Sequence, residues 1–154
     1  MTVIARQSVL FGGEQAEPTS DDVYTPRWVF DQLGLTFDLD VAAPPGGIPY
    51  IPAHKHFTQA DDGLAQPWHG RVWMNPPFSE CTSWVHRWLK HGNGVALLPC
   101  ARSNWFYTLW KEADAIHVPD RFRFANNVTI SYPVLLAAMG TDNVKALSRL
   151  GRTR

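Results

Sequence analysis

The stretch RVWMNPPFSE puts an amide side chain, two prolines and an aromatic ring directly after an apolar run. Asn75 offers a side-chain carbonyl as acceptor, and the Pro76 backbone carbonyl stands beside it. Proline locks its own φ and cannot donate to a ladder, so Pro76 and Pro77 fix the direction of the chain. A planar exocyclic NH2 set between the two acceptors would donate both hydrogens, and its nitrogen lone pair would turn out of conjugation toward an electrophile. Phe78 presents a flat face on which a base could stack, a contact of roughly 1–3 kcal/mol. No strong general base is demanded, because an amine that has just gained a methyl group is cationic and sheds a proton easily. Placement and fixed dipoles supply the gain. The substrate that matches is a nucleobase amine turned out of its stack. The bland alternative is a strand-ending turn whose Asn75 caps the helix that follows.

Three carboxylates extend the constellation. Asp40 ends one strand-like run, and Asp61 and Asp62 lie in a turn after the next. In a parallel sheet these positions and Asn75 converge on one edge. Neither a full Gly-x-Gly-x-x-Gly fingerprint nor a Walker loop is present, and FGGE and PPGG are weak matches. Carboxylates accept hydrogen bonds and repel anions, so they suit hydroxyl or amino groups better than phosphates. His54 and His56 have no third ligand at motif spacing, so no metal site is expected. Cys81 and Cys100 are too few for a disulfide scaffold or a cysteine-based zinc site, which points to a reducing compartment.

The elements that must position these groups are legible in outline. Residues 1–22 read as a flexible arm, 23–145 as one domain and 146–154 as a basic tail. In DDVYTPRWVFDQLG, Thr25 reads as helix N-cap, Pro26 as the first helical position and Gly34 as the stop. TFDLDVAA reads as a strand, and PPGGIPYIPAHKH as a long loop in place of a crossover helix. A brief strand opens HFTQADDGLAQPW, and RVWM is strand again. SECTSWVHRWLKHG has a helical stripe with Ser79 as cap, GVALLP reads as a strand buried on both faces, and SNWFYTLWKEA as another helix capped by Ser103 or Asn104. DAIHVP, RFRFA and YPVLLAAMG are the remaining strand candidates. This alternation predicts an α/β layer with ligands at the C-terminal strand ends.

The 14 basic and 14 acidic residues cancel, so a nucleic-acid contact would rest on a local patch rather than on bulk charge. Candidates are Lys55, Arg71, Arg87, Lys90, Arg102, Arg121, Arg123 and the tail arginines, with Arg102, Arg121 and Arg123 preferred because they follow strand ends or lie near the active edge. The start shows no signal-peptide pattern, and no run approaches the length of a membrane span, so a cytoplasmic protein is expected.

YTP before the first helix, FDLDVAA, DGLAQPW, RVWMNPPFS, the helix holding Trp84 and Val85, GVALLP with Arg102 after it, and WF occur together in this order. In this the chain, from about Thr25 to Gly140, resembles the phage-type DNA N-6-adenine methyltransferase family, small Dam-like enzymes. The resemblance implies a compact, partly truncated Rossmann-like sheet with flanking helices, S-adenosyl-L-methionine as cofactor and double-stranded DNA as partner, in a monomer or homodimer. It implies that Asn75, Pro76, Pro77 and Phe78 handle the flipped adenine, Asn75 and the Pro76 carbonyl holding its amine. Tyr24, Thr25, Pro26, Asp40, Ala42 and Asp62 would surround the cofactor, and Arg102, Arg121, Arg123 and Lys55 would meet DNA. The family's glycine-containing cofactor loop is replaced here by DVAAPPGG, and many relatives carry Tyr where Phe78 stands. Methylation of another planar amine (cytosine N-4, RNA adenine or an amide side chain) and an inactive nucleic-acid-binding module are the other readings of the same residues.

Overall fold

The computed structural model describes residues 19–154. Residues 1–18, most of the expected arm, lie outside the described residues. Six strands form one sheet: β1 (Phe37–Asp40), β2 (Ala53–His56), β3 (Val72–Met74), β4 (Gly94–Pro99), β5 (Ala115–His117) and β6 (Val134–Met139). Their spatial order is β2-β1-β3-β4-β6-β5. The first four run parallel, and β6 enters antiparallel between β4 and β5. Among the described residues four helices flank the sheet: α1 (Arg27–Leu33), α2 (Cys81–His91), α3 (Asn104–Glu112) and α4 (Thr141–Leu147).

Alternation along the strands divides the apolar side chains between two faces. Phe37, Trp73, Val95, Leu97 and Leu136 pack with Phe30 and Leu33 of α1 and Leu147 of α4. Leu39, Val72, Met74, Leu98 and Leu135 pack with Trp84, Val85 and Trp88 of α2 and Trp105 and Leu109 of α3. Every residue of β4 is buried, as its unbroken apolar run requires of a strand covered on both faces. The result is a mixed α/β sandwich with a parallel half, compatible with a methyltransferase fold, whose strand ends share one edge.

Several local expectations shift. Helix α1 starts at Arg27, since Pro26 is extended with ψ 147° and occupies the cap position itself. Thr25 therefore caps nothing; it is fully buried and its hydroxyl has no partner. Gly34 ends the helix at φ 63°, as expected. Strand β2 falls inside what reads as the proline-rich loop, on the open edge where irregular flanks are tolerated. No helix intervenes between β1 and β2. Before α2 the chain makes a short 3-10 turn (Phe78–Glu80), so Ser79 is not the cap. Ser103 does hold the α3 cap position, without a side-chain cap bond. RFRFA is not a strand: β6 already fills the slot between β4 and β5, and the segment stays in the connection with Phe124 buried in the core and Phe122 packed against it. The outer edge of β5 is taken by the chain end, where Ile116 and Arg154 exchange backbone hydrogen bonds at 3.2 and 2.9 Å. Of the segment read as a tail, Ala146 and Leu147 complete α4 and are buried. No helix among the described residues is long and apolar enough to cross a membrane.

Candidate active site

Asp40 pairs in register with Trp73 on β3 and His56 on β2, so the three parallel strands finish level with one another. A cavity of about 390 Å³ opens at that edge. Tyr24, Asp40, Ala42, Asp62, Asn75 and Pro77 line it, and Ile48, Ile51, Leu64 and Trp84 give it apolar walls. The edge thus gathers groups from four separate stretches of chain, three of them at the ends of parallel strands, the convergence that a parallel sheet predicts, and the fourth the segment before α1.

Asn75 follows the last residue of β3. Its Nδ2 donates to the Val23 carbonyl at 2.8 Å. A carbonyl can only accept, so that bond settles which end of the amide is nitrogen. Oδ1 is left buried with no hydrogen-bond partner. Buried acceptors are nearly always satisfied; among the described residues Oδ1 shares this state with Thr25 Oγ1, Ser103 Oγ and three tryptophan indoles, and it belongs to a residue that lines the cavity. Pro76 is buried and is not among the residues that line the cavity, and its carbonyl accepts no hydrogen bond among the described residues. The turn is held from outside by Asp21, whose carboxylate accepts from the Ser79 N–H at 2.8 Å and the Ser79 hydroxyl at 2.6 Å. Ser79 is a tie to the segment before α1 rather than a helix cap.

Asp40 is 3% exposed, and its Oδ1 accepts the Ala42 N–H at 3.3 Å. Burial pushes its carboxyl up to about 7, with the Ala42 bond pulling weakly the other way. No cation pairs with it among the described residues. The two neighbouring aspartates of the next turn divide their labour. Asp61 accepts from the Thr58 N–H and hydroxyl, which hold its carboxyl below the usual range. Asp62, at φ 55°, lines the cavity. Gly63 lets this turn press on the end of β1: a β-carbon there would lie 2.1 Å from the Val41 carbonyl oxygen. Arg87 and Trp68 hold the turn's other side, through bonds to the carbonyls of Leu64 and Gln66 and a 2.8 Å bond from the Trp68 indole to the Gly63 carbonyl.

Other expected residues sit elsewhere. Thr25 and Pro26 do not line the cavity, and the Thr25 carbonyl accepts the Tyr50 hydroxyl at 2.6 Å. Phe78 is 9% exposed, belongs to the apolar layer that holds Trp73 and Phe30, and is not among the residues that line the cavity. Lys55, Arg102, Arg121 and Arg123 are all exposed. Lys55 lies on edge strand β2 with its ammonium 5.1 Å from the Phe57 ring centroid. Arg71, Arg87 and Arg149 are held by bonds within the protein, Arg71 to Asn143 and Thr36, and Arg149 to the Leu33 carbonyl. Asp21, Asp22 and Val23 were not singled out by sequence reading, yet they form one wall of the cavity. The only hint was their place directly before YTP.

The residues that line the cavity fall within a stretch, residues 13–133, that matches the family described as DNA N-6-adenine-methyltransferase (Dam). The chain belongs to this family. Membership implies a DNA substrate and suggests adenine-methyltransferase activity. The Dam match takes in the segment before α1, the cavity and the β5–β6 connection, and it stops just short of β6. No curated protein matches the chain in sequence.

Proposed function

We propose that this Dam-family protein transfers a methyl group from S-adenosyl-L-methionine to the exocyclic N-6 amine of an adenine flipped out of double-stranded DNA, on a Rossmann-like sheet. The observation that carries the reading is the Asn75 amide of the cavity lining: its nitrogen is committed to Val23, and its oxygen is buried without a donor among the described residues. An adenine amine has two hydrogens to give. One meets Asn75 Oδ1 and the other the Pro76 carbonyl, which turns the nitrogen lone pair out of the ring's conjugation. Both acceptors are fixed by the fold, so little reorganisation is needed at reaction. Proline at both following positions keeps that corner rigid.

The donor set also suits the cofactor. Asp40 is a buried carboxylate without a cation among the described residues, and a positively charged amino or sulfonium group nearby would stabilise its ionised form. Asp62 can accept from ribose hydroxyls, Tyr24 and Ala42 complete the lining, and the apolar walls suit a purine. When bound, S-adenosyl-L-methionine supplies a methyl group activated by its sulfonium. The protein's own residues hold the amine, exclude water and set its lone pair free. Exposed Arg102, Arg121, Arg123 and Lys55 supply phosphate contacts, which makes DNA binding salt dependent.

The test is to incubate the protein with labelled S-adenosyl-L-methionine and unmodified DNA, digest to nucleosides and identify the labelled base. Label in N-6-methyladenine is expected. Label confined to cytosine, or to RNA or protein offered instead, would replace the acceptor; no transfer to any of them would overturn the reading.

A further inference from the structure

The connection between β5 and β6 runs from Val118 to Pro133, far longer than two neighbouring antiparallel strands need. It carries exposed Arg121 and Arg123, and it docks on the segment before α1 at one place. Asn126 Oδ1 accepts the Tyr24 N–H at 3.1 Å, Asn126 Nδ2 donates to the Asp22 carbonyl, and the Ala125 N–H donates to the Tyr24 carbonyl at 2.9 Å. Between the two clamped residues stands Val23, whose carbonyl receives Asn75 Nδ2. One side chain of the connection thus grips the backbone on both sides of the group that orients the Asn75 amide.

That grip matters because an amide has two faces of opposite sense. With Nδ2 on Val23, Oδ1 is presented as an acceptor; a flipped amide would present hydrogens to an amine's hydrogens and could not hold it. The Val23 carbonyl is the only partner of Asn75 Nδ2 among the described residues. We propose that Asn126 is a positioning residue for the reaction: it holds residues 22–24 so that the Val23 carbonyl keeps Asn75 Oδ1 turned toward the substrate amine. The placement of the arginine-bearing connection on DNA is thereby tied to the competence of the amide. This rests on the role given to Asn75 above.

The experiment compares wild type, Asn126→Ala and Asn126→Asp. Asp keeps the acceptor for the Tyr24 N–H and loses the donor to Asp22. Three readouts are taken: kcat on DNA, cofactor Kd by calorimetry, and the side-chain amide resonances of Asn75 in a nitrogen-15 spectrum, assigned with Asn75→Ala. Loss of the clamp withdraws support worth about one hydrogen bond, about tenfold in rate, from the reactive placement of the amide. Asn126→Ala should therefore lower kcat about tenfold, leave cofactor Kd within about threefold and move the Asn75 resonances, with Asn126→Asp between it and wild type. An unchanged kcat, or kcat and cofactor affinity falling together with folded fraction, would overturn the proposal. If wild type transfers no methyl group, the site reading fails, while displaced Asn75 resonances in Asn126→Ala would still establish the clamp. An active wild type whose Asn75 resonances ignore the substitution would sink the clamp alone.

Discussion

Asp40→Asn isolates the most perturbed acid at the site. The native carboxyl titrates at about 7 against an ordinary value of 3.8, because burial strips its solvation and only the Ala42 N–H answers it. Holding it ionised costs about 4 kcal/mol at most, taking roughly 1.4 kcal/mol per pH unit over that interval. The sign follows from proton counts. Native protein binds the Asp40 proton more tightly than unfolded chain, so between about pH 4 and about pH 7 it carries the extra proton, and stability falls as pH rises through that window. The favourable contribution is complete below about pH 4 and gone above about pH 7. Asparagine keeps the shape and cannot ionise. The difference in unfolding free energy between Asp40→Asn and wild type should therefore grow by about 3 kcal/mol in favour of the variant from pH 5 to pH 8. Urea titrations followed by tryptophan fluorescence at several pH values measure it, and subtracting the two proteins cancels groups they share. A difference that stays flat with pH would show that Asp40 ionises normally and would refute the burial argument. Proton linkage gives a second check under the proposed function. Near pH 6.5, cofactor binding to wild type should release protons, seen by calorimetry in two buffers of different ionisation enthalpy, and binding to Asp40→Asn should not.

Asn75→Ala should lower methyl transfer about 100-fold or more while cofactor Kd stays within about threefold, since one fixed acceptor for the amine is lost; wild-type rates would remove Asn75 from the chemistry. Gly63→Ala forces a β-carbon against the Val41 carbonyl, so a loss of about 1–3 kcal/mol in stability and weaker cofactor binding are expected in urea and calorimetric titrations. Phe78→Ala should cost about 3–5 kcal/mol in stability, as for a buried core ring, with activity per folded molecule falling less than in Asn75→Ala; an unchanged Tm would show that the ring is not in the core. Replacing Arg121 and Arg123 together by Gln should flatten the dependence of DNA affinity on salt by about two in log–log slope, measured by fluorescence anisotropy; an unchanged slope would take both off the phosphates.

Local chemistry was readable wherever it is set by a short stretch of chain. The Asn-Pro-Pro-Phe corner, the stop at Gly34 and the doubly buried β4 need only proline's fixed φ, glycine's freedom at positive φ and an unbroken apolar run. The convergence of Asp40, Asp62 and Asn75 was also legible, because parallel strands in series leave their C-terminal ends on one edge whatever the loops do. The same residue types could not say which neighbours would claim them. Phe78 has the chemistry of a stacking platform, but the core layer of Trp73 and Phe30 takes its ring. Asp61 and Asp62 are equivalent in the chain, and only the local turn sends one to Thr58 and the other to the cavity. Ser79 and Thr25 both carry the hydroxyl that favours a cap, yet Asp21 engages the first and burial isolates the second. The largest gap was β6, which reads as one more strand and whose antiparallel entry between β4 and β5 leaves no ladder for RFRFA. Partner choice across that distance depends on which edges are still open when the chain returns. Short-range pattern therefore determined the elements and the chemistry available to them; the three-dimensional arrangement alone decided that a backbone carbonyl at Val23, clamped by a residue about a hundred positions away, would orient the amide.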